Sequence, residues 1–222
     1  MNTQSRVIGR QREAVLATNK LIRNTYILLS LTLAFSALTA GFAMVTNAQP
    51  VNFWLMLAVF IGGPFVISAA RKSAWSLVLV FAFTGFMGYV LGPILSYYLA
   101  LPNGNQIVMT ALGATALIFL GLSGYALSSR KDFSFMRGFL MVGLLVLIGA
   151  IILSFFVSMP GLSLAISAAA VILMSGFILY DTSRMVHGGE TNYVMMTVSL
   201  YANIYVLFIH LLNLISAFSG ND

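Results

Sequence analysis

Seven apolar stretches, at roughly residues 26–46, 52–70, 74–100, 106–128, 135–157, 162–182 and 193–218, succeed one another with short polar breaks. Each runs for about 19 to 27 residues, enough for a helix to cross a hydrocarbon core roughly 30 Å thick. Inside lipid every backbone N–H and C=O needs a partner from the chain itself, which leaves helices or a closed barrel. The runs are long and show no sustained alternation of apolar and polar residues, which argues against a barrel. With 60% hydrophobic and only 7% charged residues, a soluble globular fold is excluded as well. The expectation is an all-α membrane protein: a bundle of seven transmembrane helices.

The few charges set the orientation. Arg6, Arg10, Arg12, Lys20 and Arg23 precede the first span, Arg71 and Lys72 lie between spans two and three, and Arg130, Lys131 and Arg137 lie between spans four and five. The alternate loops, near 47–51, 101–105 and 158–161, carry no charge. With Arg184 counted in the loop after span six, all eleven Lys and Arg fall on one side, which places the N-terminus in the cytoplasm. Seven spans then leave Asp222 outside. This asymmetry accounts for the net charge of +6, so nucleic acid is not implied as a partner. A basic head at an anionic bilayer surface is the simpler reading.

Two parts are expected, a basic cytoplasmic tail over 1–25 and a seven-helix transmembrane domain over 26–222. The tail mixes Val7, Ile8, Val15, Leu16, Leu21 and Ile22 with its cations, which suits either an amphipathic helix on the membrane surface or a solvated segment. The first span is too long for the apolar core of a signal peptide and is read as uncleaved. The chain contains no cysteine, which removes disulfides and thiolate metal sites.

Three features within the spans call for explanation. In "AFTGFMGYVLGPIL", Gly85, Gly88 and Gly92 share a helix face that suits close packing, and Pro93 removes a backbone hydrogen bond. The alternative is a hinge or a pore-facing break at that proline. In the last span, Ser199, Asn203, His210 and Asn213 fall on one face, which must look into the bundle, either for interhelical hydrogen bonds or as the lining of a polar pathway. The third is Asp181, near the cytoplasmic end of span six, where the helix dipole disfavours an anion. It either pairs with Arg184 one turn on or faces the polar stripe of span seven, where a carboxylate would sense protons or cations. The "HGGE" that follows, residues 187–190, reads as a turn in which Gly188 and Gly189 end one helix and Thr191 or Asn192 caps the next. Arg184, His187 and Glu190 are then either the rim of a cytoplasmic mouth or plain solvated residues.

Enzymatic readings find little support. "GLSG" at 121–124 and His210 offer the serine and histidine of an intramembrane serine protease, without an evident oxyanion hole. An aspartyl protease needs two carboxylates, and Asp181 is the single acid within a span. His187 and His210, without supporting acids, do not form a metal site. Neither a catalytic residue nor a cofactor or metal is expected.

"GYVLGPILSYY", "TALGATALIF", "YDTSRMVHGGETNY" and "VSLYANIYVLFIHLL" resemble the Bax inhibitor family of seven-helix membrane proteins, also called the transmembrane Bax inhibitor motif family. "RNTYILLSLTLAFSALTA", "SSRKDFSFM" and "HGGETNYVMMTVSLY" are similar to its bacterial inner-membrane branch, and the likeness runs over nearly the whole chain. Gly88, Gly92 and Pro93 fit the family signature. For the bacterial branch the resemblance implies a multi-pass inner-membrane protein that binds an ATP-dependent, membrane-bound zinc protease of the FtsH type and restrains its attack on membrane substrates. For calcium-leak members it implies two aspartates, on helices six and seven, that close a pore for calcium or other cations in a pH-dependent way. Asp181 matches the first by its "YD" context, whereas the second position holds Asn203, so that one carboxylate remains and the paired sensor is incomplete.

Overall fold

A computed structural model describes residues 3–156, 159 and 161–220, with side chains from residue 15 onward. Seven helices make up the described chain: α1 (Thr3–Val45), α2 (Phe53–Ala69), α3 (Trp75–Leu99), α4 (Gly104–Ser129), α5 (Met136–Ser154), α6 (Leu162–Val186) and α7 (Tyr193–Ser219). No strand occurs among the described residues. Helix ends follow local chemistry. Asn52 accepts from the N–H groups of Trp54 (2.9 Å) and Leu55 (3.4 Å) to start α2, and Asn192 caps α7 through Val194 (2.9 Å) and Met195 (3.2 Å). Gly188, at φ +71°, turns the chain between α6 and α7 in a conformation that favours glycine.

Six helices are long and apolar enough to cross a membrane. The exception is α2, whose 17 residues extend about 26 Å at the usual rise, short of a full hydrocarbon core. The first helix is longer than its span. The backbone is helical without interruption from Thr3 through the first span to Val45. The side chains of Arg6, Arg10 and Arg12 lie outside the described residues, as do residue 157 at the expected end of span five and Asp222.

The most buried helix is α7, at the centre of the bundle, in contact with α1, α2, α3, α4 and α6; α5 lies outermost and packs on α6 alone among the described residues. Hydrogen bonds tie α7 inward. The Tyr201 hydroxyl donates to the Thr84 carbonyl (3.2 Å) on α3, which leaves it to accept from Ser36 Oγ (2.7 Å) on α1. Thr197 Oγ1 reaches the Thr25 carbonyl at 3.3 Å.

The glycine face of α3 meets α1. A methyl group at Gly88 would overlap the Ser36 carbonyl and Thr39 Oγ1; at Gly92 it would overlap Ala43 Cβ, and at Gly85 the Phe35 ring. Absence of side chains lets the two backbones approach, which is how helices gain dispersion energy where lipid removes the hydrophobic drive. The break considered at Pro93 does not occur: α3 continues past it, as α2 continues past Pro64. One missing N–H is tolerable where neighbouring helices support the freed carbonyl.

Candidate functional site: the polar seam between α6 and α7

Helices α6 and α7 run antiparallel across the short 187–192 turn, and their facing surfaces carry polar groups at two levels. At the first level stands Asp181, on the last turns of α6 and only 3% exposed. Its Oδ2 accepts from Ser199 Oγ at 2.6 Å and from Asn203 Nδ2 at 2.9 Å, both on α7. Its Oδ1 lies 3.7 Å from Arg184 Nη1. The two arrangements weighed for Asp181 therefore coexist, one on each oxygen. Two short charge-assisted bonds offset the cost of placing an anion at a helix C-terminus, while the longer contact to half-exposed Arg184 adds a screened attraction.

Arg184 extends from Asp181 toward the turn. Its guanidinium stacks over Tyr180, 5.6 Å from the ring centre, and Nη2 donates to the Gly189 carbonyl at 3.3 Å. Glu190 Oε2 stands 3.9 Å away, and its Oε1 accepts from the N–H groups of Thr191 (2.9 Å) and Asn192 (3.0 Å). Asn192 Nδ2 donates to the Arg71 carbonyl at 3.1 Å, fastening this turn to the loop between α2 and α3. Arg184 and Glu190 thus organise the turn. His187 is placed apart from them: its Nδ1 donates to the Ser183 carbonyl at 2.9 Å, and its ring lines a cavity of about 650 Å³ bounded by α1 and the ends of α4 and α6.

Ser183 clamps the loop between α4 and α5. Its hydroxyl donates to the Lys131 carbonyl (3.1 Å) and accepts from the Phe133 N–H (3.1 Å). Within that loop Asp132 accepts from the Ser134 N–H at 2.8 Å, a bond to the charged form that holds its carboxyl below the usual range.

The second level is neutral. Ser167 Oγ, on α6, accepts from Asn213 Nδ2 at 2.8 Å and stands 3.0 Å from His210 Nδ1. A hydroxyl carries one hydrogen and two lone pairs, so Ser167 can accept from Asn213 and still pair with either tautomer of His210. The stripe on α7 is therefore divided: Ser199 and Asn203 serve Asp181, whereas His210 and Asn213 serve Ser167. Sequence reasoning missed Ser167. It lies fourteen residues before Asp181, just as Asn213 lies fourteen after Ser199, so the two levels repeat at matching intervals along antiparallel helices. Ser123, considered beside His210, pairs instead with Thr182 Oγ1 at 3.3 Å. No group of three metal-ligating side chains occurs among the described residues.

Comparison with known proteins places this architecture among relatives. A family model described as inhibitor of apoptosis-promoting Bax1 matches residues 18–220. An uncharacterized protein of Pseudomonas aeruginosa is 49% identical over 215 residues, covering 97% of this chain and 95% of that one. An uncharacterized membrane protein of Vibrio cholerae is 45% identical over 223 residues, 100% of both chains. The modulator of FtsH protease YccA of Escherichia coli is 45% identical over 211 residues, 95% of each chain.

Proposed function

Because the chain belongs to the Bax inhibitor family and is a multi-pass protein of the bacterial inner membrane, we propose that it binds an ATP-dependent, membrane-bound zinc protease of the FtsH type and restrains it. The observation that carries this reading is the 45% identity to a named modulator of that protease across 95% of both chains. The protein would act by contact, without catalysis of its own. The charge asymmetry supports seven spans with a cytoplasmic N-terminus, an arrangement that would present the head over 1–25 to the protease on the side where its ATPase works.

The geometry suggests how restraint could arise. A force applied to the head passes directly into the first span, since α1 is one helix from Thr3 to Val45. That span is held by the glycine face of α3 and by the Ser36–Tyr201 and Thr25–Thr197 contacts to α7. A processive ATPase that engaged the head would pull against the most extensive helix pair in the bundle. Retrieval of the protease with tagged chain from detergent-solubilised membranes tests the reading. Full-length chain should retrieve it and a chain lacking residues 1–20 should retrieve several-fold less. Equal retrieval by both would overturn the role of the head, and none by the full-length chain would overturn the binding.

A cation leak gated near Asp181 takes second place. With Ser199 and Asn203 as neutral donors on its Oδ2, deprotonation of Asp181 creates no repulsion across the α6–α7 seam, and the electrostatic drive for opening is missing. Calcium or proton flux that changed with pH in liposomes and responded to Asp181→Asn would reverse this order.

A further inference from the structure

Helices α1 and α4 both pack on α3 or α7, yet among the described residues no Cα of one comes within 8 Å of a Cα of the other. The gap between them holds two cavities in line. Toward the basic loops lies the cavity of about 650 Å³, bounded by Thr18 and Asn19 of α1, by Arg130 at the end of α4, and by His187. Among the described residues no acid lines it; Asp132, which stands near His187, is not among its walls. Deeper in the bundle lies a second cavity of about 380 Å³, walled by Leu33 and Ala37 of α1, Leu112 and Ala116 of α4, and Phe208 of α7. Leu112 is 47% exposed, so this wall opens onto the surface that faces the bilayer. From Ile22 at the first cavity to Leu33 at the second, α1 rises roughly 16 Å. Between the two, Tyr26 of α1 meets Phe119 of α4, with ring centres 6.0 Å apart, and bridges the gap.

A cationic, hydrogen-bonding chamber at the basic end and an apolar chamber about one leaflet deeper form an amphipathic groove. We propose that the α1–α4 groove binds one anionic phospholipid of the leaflet on the basic side, its phosphate at Arg130 with Thr18 and Asn19 as neutral donors, and an acyl chain laid over the Tyr26–Phe119 contact into the inner chamber. Arginine matches a phosphate through paired N–H donors, and no carboxylate among the described wall residues compensates that charge from within. Water would find few partners in the inner chamber, whereas hydrocarbon from the surrounding bilayer enters without desolvation. The inference rests on the membrane-embedded fold and not on the protease reading.

The test is native mass spectrometry of delipidated full-length protein in detergent, titrated with dioleoyl phosphatidylglycerol, with dioleoyl phosphatidylethanolamine, and with phosphatidylglycerol in the presence of excess glycerol 3-phosphate. Phosphatidylglycerol should bind at one site, more tightly than phosphatidylethanolamine. Arg130→Gln should weaken it about five-fold, the worth of one cation at an anionic headgroup, and Arg130→Lys should retain most of the affinity. Ala116→Trp, which fills the inner chamber from an exposed wall position, should weaken it without touching the headgroup. Equal binding of the two lipids, indifference to both Arg130→Gln and Ala116→Trp, or competition by glycerol 3-phosphate would each overturn the proposal.

Discussion

The α1–α3 and α6–α7 seams are the two most extensive helix contacts in the molecule, and they are held in opposite ways. Between α1 and α3 the contact is one of shape: glycines on one helix admit the carbonyls and small side chains of the other. Between α6 and α7 it is one of chemistry, with Asp181 served by two donors at one level and Ser167 by Asn213 and His210 at the other. In lipid both solutions are available, because burial of apolar surface no longer distinguishes a helix partner from an acyl chain. The first seam tolerates no added atom, and the second tolerates no lost partner.

This contrast can be broken most sharply at Gly88. Gly88→Leu forces side-chain atoms into the Ser36 carbonyl, and the loss of stability should be about 3 kcal/mol, read as unfolding in a detergent titration followed by circular dichroism. Next in size is Asp181→Ala, which strands the Ser199 and Asn203 donors. A cost on the order of 2 kcal/mol is expected in the same titration, and Asp181→Asn, which keeps an acceptor oxygen, should recover part of it. Ser167→Ala should cost about 1 kcal/mol or less, since interhelical bonds between neutral groups are weak even in membranes. Gly121, whose added methyl would meet nothing, is the control. Gly121→Ala should leave stability unchanged or raise it by up to about 1 kcal/mol through helix propensity. A Gly121→Ala loss as large as that of Gly88→Leu would mean that the cost of filling a glycine is not specific to the α1–α3 seam.

The helices were legible in the sequence because the hydrocarbon core imposes a length on every span. The expected 74–100 and 193–218 fall within a residue of α3 and α7 at each end. The family was legible too, through long motifs such as "HGGETNYVMMTVSLY", and the family model over residues 18–220 bears that resemblance out. The polar stripe of α7 was legible from helix phase, and Asn203 as the counterpart of Asp181 from the family resemblance together with that phase. What escaped was whatever lacked a chemical accent. Ser167 sits in "AISAAA", where a serine reads as one more small residue, and only its fourteen-residue interval from Asp181 marks it. The continuity of α1 escaped because a change from charged to apolar composition looks like a boundary, although the backbone can pass through it without a break. At Pro93 local propensity suggested a break, and α3 continues through it beside Gly92, which packs on α1.

The proposal that the protein restrains a membrane protease is most directly tested by a pulse–chase of one of that protease's membrane substrates in cells that lack the chain, contain it at its normal level, or overproduce it. The substrate's half-life should lengthen several-fold with overproduction and shorten when the chain is absent. A half-life that stayed constant across all three, with the chain verified in the membrane by immunoblot, would contradict the account.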